Sequence, residues 1–213
     1  MYNLNTKPIG VHMKIYYLNT NLLSDKQISK IYSNAELHRQ TKYNAISDLA
    51  SKKECIAVDA LIKLGVRDYL PFFTETPKTI YSESGKLVFT NVPLYLSVTH
   101  TSGHVLLALD HSNIGIDAEY IREINFTEIH RRFFKKSRRE PQSLLDFYNE
   151  WTSLEARFKC EDKDHIDFSQ TNYHTPVVST LYNGLVVSIA SRELVYNDRS
   201  ELINIIEFSA EEL

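Results

Sequence analysis

Leu94-Tyr-Leu-Ser-Val98, Val105-Leu-Leu-Ala-Leu109 and Ile114-Gly-Ile116 are three short apolar, β-rich runs, separated by Gly103 and by the polar Asp110-His-Ser-Asn113. Runs of this length between turn-forming residues read as strands. With Leu87-Val-Phe89 and Gly85 ahead of them they define a sheet region from Thr79 to Ile116. Toward the N-terminus, Met13-Lys-Ile-Tyr-Tyr-Leu18 reads as a strand, followed by helical patterns over Lys26 to Ile31 and Ile46 to Leu64. In the longer pattern Leu49, Ile56, Val58, Leu61 and Leu64 form an apolar face, and Gly65 is placed to stop the helix. Toward the C-terminus, helices resume near Phe126, and Pro141 marks a helix start. Leu144, Phe147, Trp151, Leu154 and Phe158 then recur at three- and four-residue intervals, as on a helix face. Strands over Val177 to Tyr182 and Leu185 to Ile189 flank Asn183-Gly184, a strong hairpin signal, and a last β-like run spans Leu202 to Phe208. Helices, sheet, helices, sheet is the order of an α+β protein in two halves.

Composition narrows the function classes. The 213 residues suit one domain or two small ones, and 43% hydrophobic with 24% charged residues is the balance of a globular protein. With 24 Lys+Arg against 27 Asp+Glu the net charge is -3, which argues against a nucleic-acid coat. No apolar run approaches a membrane span, and the start, Met1 to Gly10, lacks the layout of a secretory signal. Cys55 and Cys160 are too few for a disulfide framework or a thiolate metal site, so a reducing, cytoplasmic setting without membrane attachment is expected.

Four groups of residues carry chemistry. In Ile114-Gly-Ile-Asp-Ala-Glu119, residues two apart on a strand share a face, so Asp117 and Glu119 can present their carboxylates together. Paired carboxylates repel unless a cation or proton intervenes, and hard oxygen ligands suit Mg²⁺ with substrate phosphates; a solvated strand end is the plainer alternative. In Glu150-Trp-Thr-Ser-Leu-Glu-Ala-Arg-Phe-Lys159, the spacing puts Trp151, Glu155 and Lys159 on one helix face. Lys159 can there pair with Glu155 or reach a phosphate. His100 stands between Thr99 and Thr101 at a strand end, in a structural or a functional role. Basic residues cluster at Arg39, Lys42, Lys52 and Lys53, and at Arg131, Arg132, Lys135, Lys136, Arg138 and Arg139, as solvated faces or as receivers of phosphates or an acidic partner.

Taken in order, Gly85-Lys86, Thr99-His-Thr-Ser102, Gly115-Ile-Asp-Ala-Glu119, Arg132-Phe-Phe134 and Trp151-Thr-x-x-Glu-Ala-x-x-Lys159 resemble the Sfp-type 4'-phosphopantetheinyl transferases of the holo-acyl-carrier-protein synthase superfamily. The resemblance runs from about Arg39 to Lys159. It implies two pseudo-symmetric α+β halves, 1–110 and 111–213, with coenzyme A between them and a monomer sufficient for activity. It implies transfer of phosphopantetheine from coenzyme A to a serine of an apo acyl or peptidyl carrier protein, releasing adenosine 3',5'-bisphosphate. Asp117, Glu119 and Glu155 would hold Mg²⁺, or Mn²⁺ in its place. Glu155, directly or through a water, would take the proton of the attacking serine, while Lys159 would neutralise the pyrophosphate. Thr99 and His100 would contact the coenzyme A phosphates, with Lys86 at the same end of the ligand, and Arg39 and Lys42 would bind the 3'-phosphate.

The chain departs from the family pattern at three places. Cys55 stands where a hydroxyl residue is usual, Leu154 where a Lys precedes the Glu, and Cys160-Glu-Asp-Lys-Asp-His165 where a glycine-rich turn is common. Two rival readings follow: a non-catalytic relative that binds coenzyme A or a carrier, and a Mg²⁺-dependent phosphohydrolase using the same carboxylates. Because carrier proteins are acidic, the basic run 131–139 is the expected docking surface.

Overall fold

β1 (Lys14–Asn19) is buried on both faces and sets the layering: Tyr16 and Leu18 enter one core, Ile15 and Tyr17 another. The computed structural model describes residues 13–134, 139–161, 174–194 and 203–213. β5 (His104–Asp110) is buried throughout and divides in the same way, with Val105, Leu107 and Leu109 on one side and Leu106 and Ala108 on the other. A strand buried on both faces reads as a continuous apolar run, which is how Val105 to Leu109 reads. β1 and β5 are the middle of a four-stranded sheet ordered β4-β5-β1-β9, where β4 is Tyr95–Thr101 and β9 is Ile205–Glu207. β1 and β4 run antiparallel to β5, and β9 adds parallel to β1.

A second, antiparallel sheet is ordered β6-β8-β7, from Ile114–Tyr120, Leu185–Ser191 and Val177–Tyr182. Ile114, Ile116, Ala118, Leu185, Val187 and Ile189 meet Ile15, Tyr17, Leu106 and Ala108 in a core shared by the two sheets. Helix α3 (Leu49–Tyr69) closes the outer face of the first sheet, and α5 (Leu144–Glu161) that of the second, against Val186 and Ala190. The result is a mixed α+β architecture in helix–sheet–sheet–helix layers. Helices α1 (Asp25–Asn34) and α2 (Leu37–Ala45) lie against α3, α4 (Phe126–Phe133) precedes α5, and β2 (Thr79–Tyr81) pairs with β3 (Leu87–Phe89).

Local chemistry explains several departures from the sequence expectations. Gly65 does not stop α3, which continues to Tyr69. A Cβ there would lie 2.9 Å from Leu107 Cδ2 and 3.0 Å from Tyr16 Cδ2, so this glycine lets the helix approach the sheet. Helix α5 starts at Leu144 and not at Pro141, because the Ser143 hydroxyl accepts the Asp146 N–H at 3.1 Å and caps it. Helix α2 was not expected; its buried side chain is Arg39, so it has no apolar period to read. The Asn183-Gly184 turn forms as expected, and Ser102-Gly103 links β4 to β5 in the same way. Both residues of each turn have positive φ (49° and 78°; 50° and 83°), the requirement of a two-residue type I′ hairpin.

Candidate active site

Strand alternation on β6 sends Ile114, Ile116 and Ala118 into the shared core and turns Gly115, Asp117 and Glu119 to the α5 side. Gly115 makes the approach of α5 possible. A Cβ on it would collide with the carbonyl oxygen of Ala156 and stand 2.6 Å from the Cys160 nitrogen. With the helix this close, Lys159 reaches across to β6, placing Nζ 2.8 Å from Asp117 Oδ1 and 3.2 Å from the Ile116 carbonyl. The partner of Lys159 is therefore Asp117, although the helix spacing by itself offered Glu155.

β4 braces the carboxylates from the other side. Its alternate residues Ser97, Thr99 and Thr101 all bond to β6: Ser97 Oγ accepts the Ile116 N–H at 3.0 Å, Thr99 Oγ1 donates to Asp117 Oδ1 at 3.1 Å, and Thr101 Oγ1 donates to Glu119 Oε2 at 3.2 Å. Thr99 is buried in this bracing role. At the base of α5, Phe133 and Phe134 pack edge-on to Trp151, one turn before Glu155. Leu154 is 2% exposed and packs with Phe147 and Val186, so the position where a lysine was expected is a core position.

The cluster carries more negative charge than its lysine compensates. Burial and then the Asp117 charge push the Glu155 carboxyl up to about 7, Lys159 opposes them in part, and Glu119 adds to the rise. Burial, then Asp117, also raises Glu119. Asp117 is 3% exposed, and its Oδ2 is buried with no hydrogen-bond partner. Among the described residues, no three His, Cys, Asp or Glu side chains form a ready-made metal cage. The donor set nevertheless suits a hard divalent cation: carboxylate oxygens, one of them buried and unpartnered, and two carboxyls raised by burial and by the Asp117 charge.

Beside the cluster lies a cleft of about 370 Å³, within the size range of small-molecule sites. Its wall brings together Arg39 and Lys42 from α2, Lys86 from the β2–β3 turn, His100 from β4 and Lys159 from α5. These five basic side chains are spread over 121 positions, Arg39 to Lys159 inclusive, and meet only through the fold. Lys159 belongs to both cleft and carboxylate cluster. Cys55, the residue standing for the usual hydroxyl, lines the same cleft, as does Phe158 of the apolar stripe.

Three contributors escaped the sequence reading. Tyr81 Oη accepts from Arg39 Nη1 at 3.1 Å and from Lys42 Nζ at 3.4 Å, with both cations over its ring. Thr101 braces Glu119, as described. Glu54 on α3 accepts the Gly103 N–H at 2.6 Å and bonds His100 Nδ1 at 2.9 Å. Glu54 had a readable signal: it stands four residues before Val58 and seven before Leu61, a carboxylate on an apolar helix face. Of the basic run 131–139, Arg131, Arg132 and Arg139 are exposed, and Arg131 pairs with Glu140 at 3.0 Å. Lys135, Lys136 and Arg138 lie outside the described residues, as do 162–165 of the segment after Lys159.

Compared with protein-family models and with curated proteins, the chain matches none. Among the described residues, no helix is long and apolar enough to cross a membrane.

Proposed function

We propose that this protein is a Mg²⁺-dependent 4'-phosphopantetheinyl transferase that moves the phosphopantetheine arm of coenzyme A to a serine of an apo carrier protein. The observation that carries this reading is the adjacency of a cleft lined by five basic side chains to a carboxylate cluster, joined through Lys159. A polyanionic ligand with several separated phosphates matches such a cleft by charge, and a divalent cation matches the cluster beside it.

In this reading Asp117, Glu119 and Glu155 hold the metal, which when bound offsets charge on the pyrophosphate. The chain's own groups do the rest. Arg39 and Lys42, gathered by Tyr81, receive the 3'-phosphate; His100 and Lys86 face the phosphates along the cleft; Lys159 neutralises the pyrophosphate on the Asp117 side. The serine oxygen bonds to the phosphorus that bears the pantetheine arm, and the phosphoanhydride bond to adenosine 3',5'-bisphosphate breaks. Glu155 accepts the serine proton, directly or through a water.

The pseudo-symmetric halves of this family are supported by the strand orders. Each sheet is built from a strand, a long helix and a two-residue type I′ hairpin, with the second hairpin strand in the middle: β4-β5-β1 and β7-β8-β6. Each helix–sheet contact also relies on a glycine, Gly65 in one and Gly115 in the other.

Mass spectrometry of a panel of apo acyl and peptidyl carrier proteins, incubated with the protein, coenzyme A and Mg²⁺, tests the proposal. One carrier at least gains a phosphopantetheine adduct on serine, with equal release of adenosine 3',5'-bisphosphate and almost none without carrier. No adduct on any carrier sinks the transferase reading, and carrier-independent release favours a hydrolase.

A further inference from the structure

We propose that Glu54 is a positioning residue for the phosphate site: its carboxylate holds the His100 imidazole through Nδ1 and so assigns Nε2 to the ligand in the cleft. The inference rests on the reading of that cleft as a phosphate site.

Glu54 is 7% exposed, on the stretch of α3 that also supplies Cys55 and Val58 to the cleft wall. Its two oxygens have separate tasks. Oε1 takes the N–H of Gly103 at 2.6 Å, and Oε2 takes His100 Nδ1 at 2.9 Å. Ser102 and Gly103 form the turn immediately after His100's strand, so one side chain secures both the strand end and the ring it carries. Anchoring a backbone N–H needs only a neutral acceptor, whereas burying a carboxylate is costly unless a partner compensates it. His100 is the basic group within ion-pair distance of that carboxylate, with Nδ1 2.9 Å from Oε2. Burial alone would raise the Glu54 carboxyl, but the bonds from His100 and Gly103 outweigh it and hold it below its ordinary value. A carboxylate bonded to one ring nitrogen fixes which nitrogen remains for the other partner, the same arrangement that orients histidines in catalytic and metal sites. The imidazole is about half exposed where it lines the cleft, so its free edge is open to a ligand.

The test uses Glu54→Gln, Glu54→Asp, His100→Ala and the Glu54→Gln/His100→Ala double variant of the whole protein. Coenzyme A binding is measured by calorimetry and the His100 ring by ¹⁵N NMR without ligand. Loss of a hydrogen bond to a charged group corresponds to roughly tenfold in affinity. Glu54→Gln should weaken coenzyme A binding by about that factor, Glu54→Asp should restore part of it, and the double variant should bind no more weakly than His100→Ala. The ¹⁵N pattern of His100 should change in Glu54→Gln. An unchanged nitrogen pattern, or an equal loss of binding in the His100→Ala background, overturns the proposal. Should Glu54→Gln fail to fold, the parent spectrum decides: a protonated, hydrogen-bonded Nδ1 supports the proposal and an unprotonated Nδ1 overturns it. A parent protein that binds no coenzyme A instead removes the coenzyme reading of the cleft, while the nitrogen pattern still decides whether Glu54 sets the ring.

Discussion

Lys159 holds its ammonium 2.8 Å from Asp117 Oδ1, while the other oxygen of the same carboxylate, Oδ2, is buried without a hydrogen-bond partner. Lys159, helped at Glu119 by Arg122, thus faces three acidic groups, Asp117, Glu119 and Glu155, and Glu119 and Glu155 stay raised all the same. A cluster kept in this state is poor economy for stability alone, since buried like charges destabilise a fold unless a cation joins them.

The first prediction concerns pH. The Glu155 carboxyl, ordinarily near 4.5, is pushed up to about 7 by burial, by Asp117 and by Glu119 against the opposing Lys159. The folded chain therefore binds this proton more tightly than the unfolded chain. The stability from that difference is fully present below about 4.5 and is lost as pH rises through about 7. Thermal unfolding in metal-free buffer should show the Tm of the parent falling from pH 5 to pH 8 relative to Glu155→Gln. Mg²⁺ added at pH 8 should recover part of the loss in the parent only. Identical pH slopes for the two proteins would contradict the charge assignment.

Removing the base tests the chemistry. Glu155→Gln keeps the shape of the side chain and removes its basicity, so transfer should drop by roughly 10²-fold or more while the melting profile near pH 7 stays cooperative. Asp117→Ala should reduce turnover and Mg²⁺ dependence together. Steady-state kinetics across Mg²⁺ concentrations reads both, and a Glu155→Gln variant with near-parental turnover takes Glu155 out of the mechanism.

How much of this was readable beforehand depended on whether a feature is local. β5 and the β7–β8 hairpin were legible because an apolar run and an Asn183-Gly184 turn carry their own meaning. Helix α2 was not, since burial of Arg39 is a consequence of Tyr81 and the cleft, which lie on distant elements. Gly65 was misread because a glycine that ends a helix and one that admits a sheet look alike until Tyr16 and Leu107 are placed against it. The acidic and basic site residues were identifiable by type and spacing. Their pairing was not: Lys159 chooses Asp117 over Glu155 because Gly115 brings β6 under the helix, a tertiary fact.

The nucleotide end of the cleft gives a ratio test. Arg39 and Lys42 both bond Tyr81 Oη, and Arg39 is 3% exposed with Nε unpartnered, a guanidinium that keeps a donor in hand. Arg39→Ala and Lys42→Ala should each raise KM for coenzyme A by roughly tenfold, the effect of one charge-assisted bond, and leave KM for dephospho-coenzyme A near the parent value. Tyr81→Phe should move the same ratio less, because the cations keep the ring but lose its oxygen. Equal losses with both substrates would place the 3'-phosphate elsewhere.

The last prediction separates the site from the fold that assembles it. At Gly115 a single methyl group would collide with backbone atoms of Ala156 and Cys160, which cannot swing aside as a side chain can. Helix α5 must therefore lift from β6, moving Glu155 and Lys159 away from Asp117 and Glu119. Overpacking of this kind costs roughly 1–3 kcal/mol, so Gly115→Ala should fold with a lowered Tm and lose transfer far beyond what the unfolded fraction explains. Gly85→Ala is the control: its site has open space around it but a φ of 80°, so the substitution strains the β2–β3 turn without touching α5. It should cost a comparable amount of stability, and its residual loss of transfer should be confined to KM for coenzyme A through its neighbour Lys86. If Gly115→Ala retains turnover in proportion to its folded fraction, close approach of α5 to β6 is not what assembles the site.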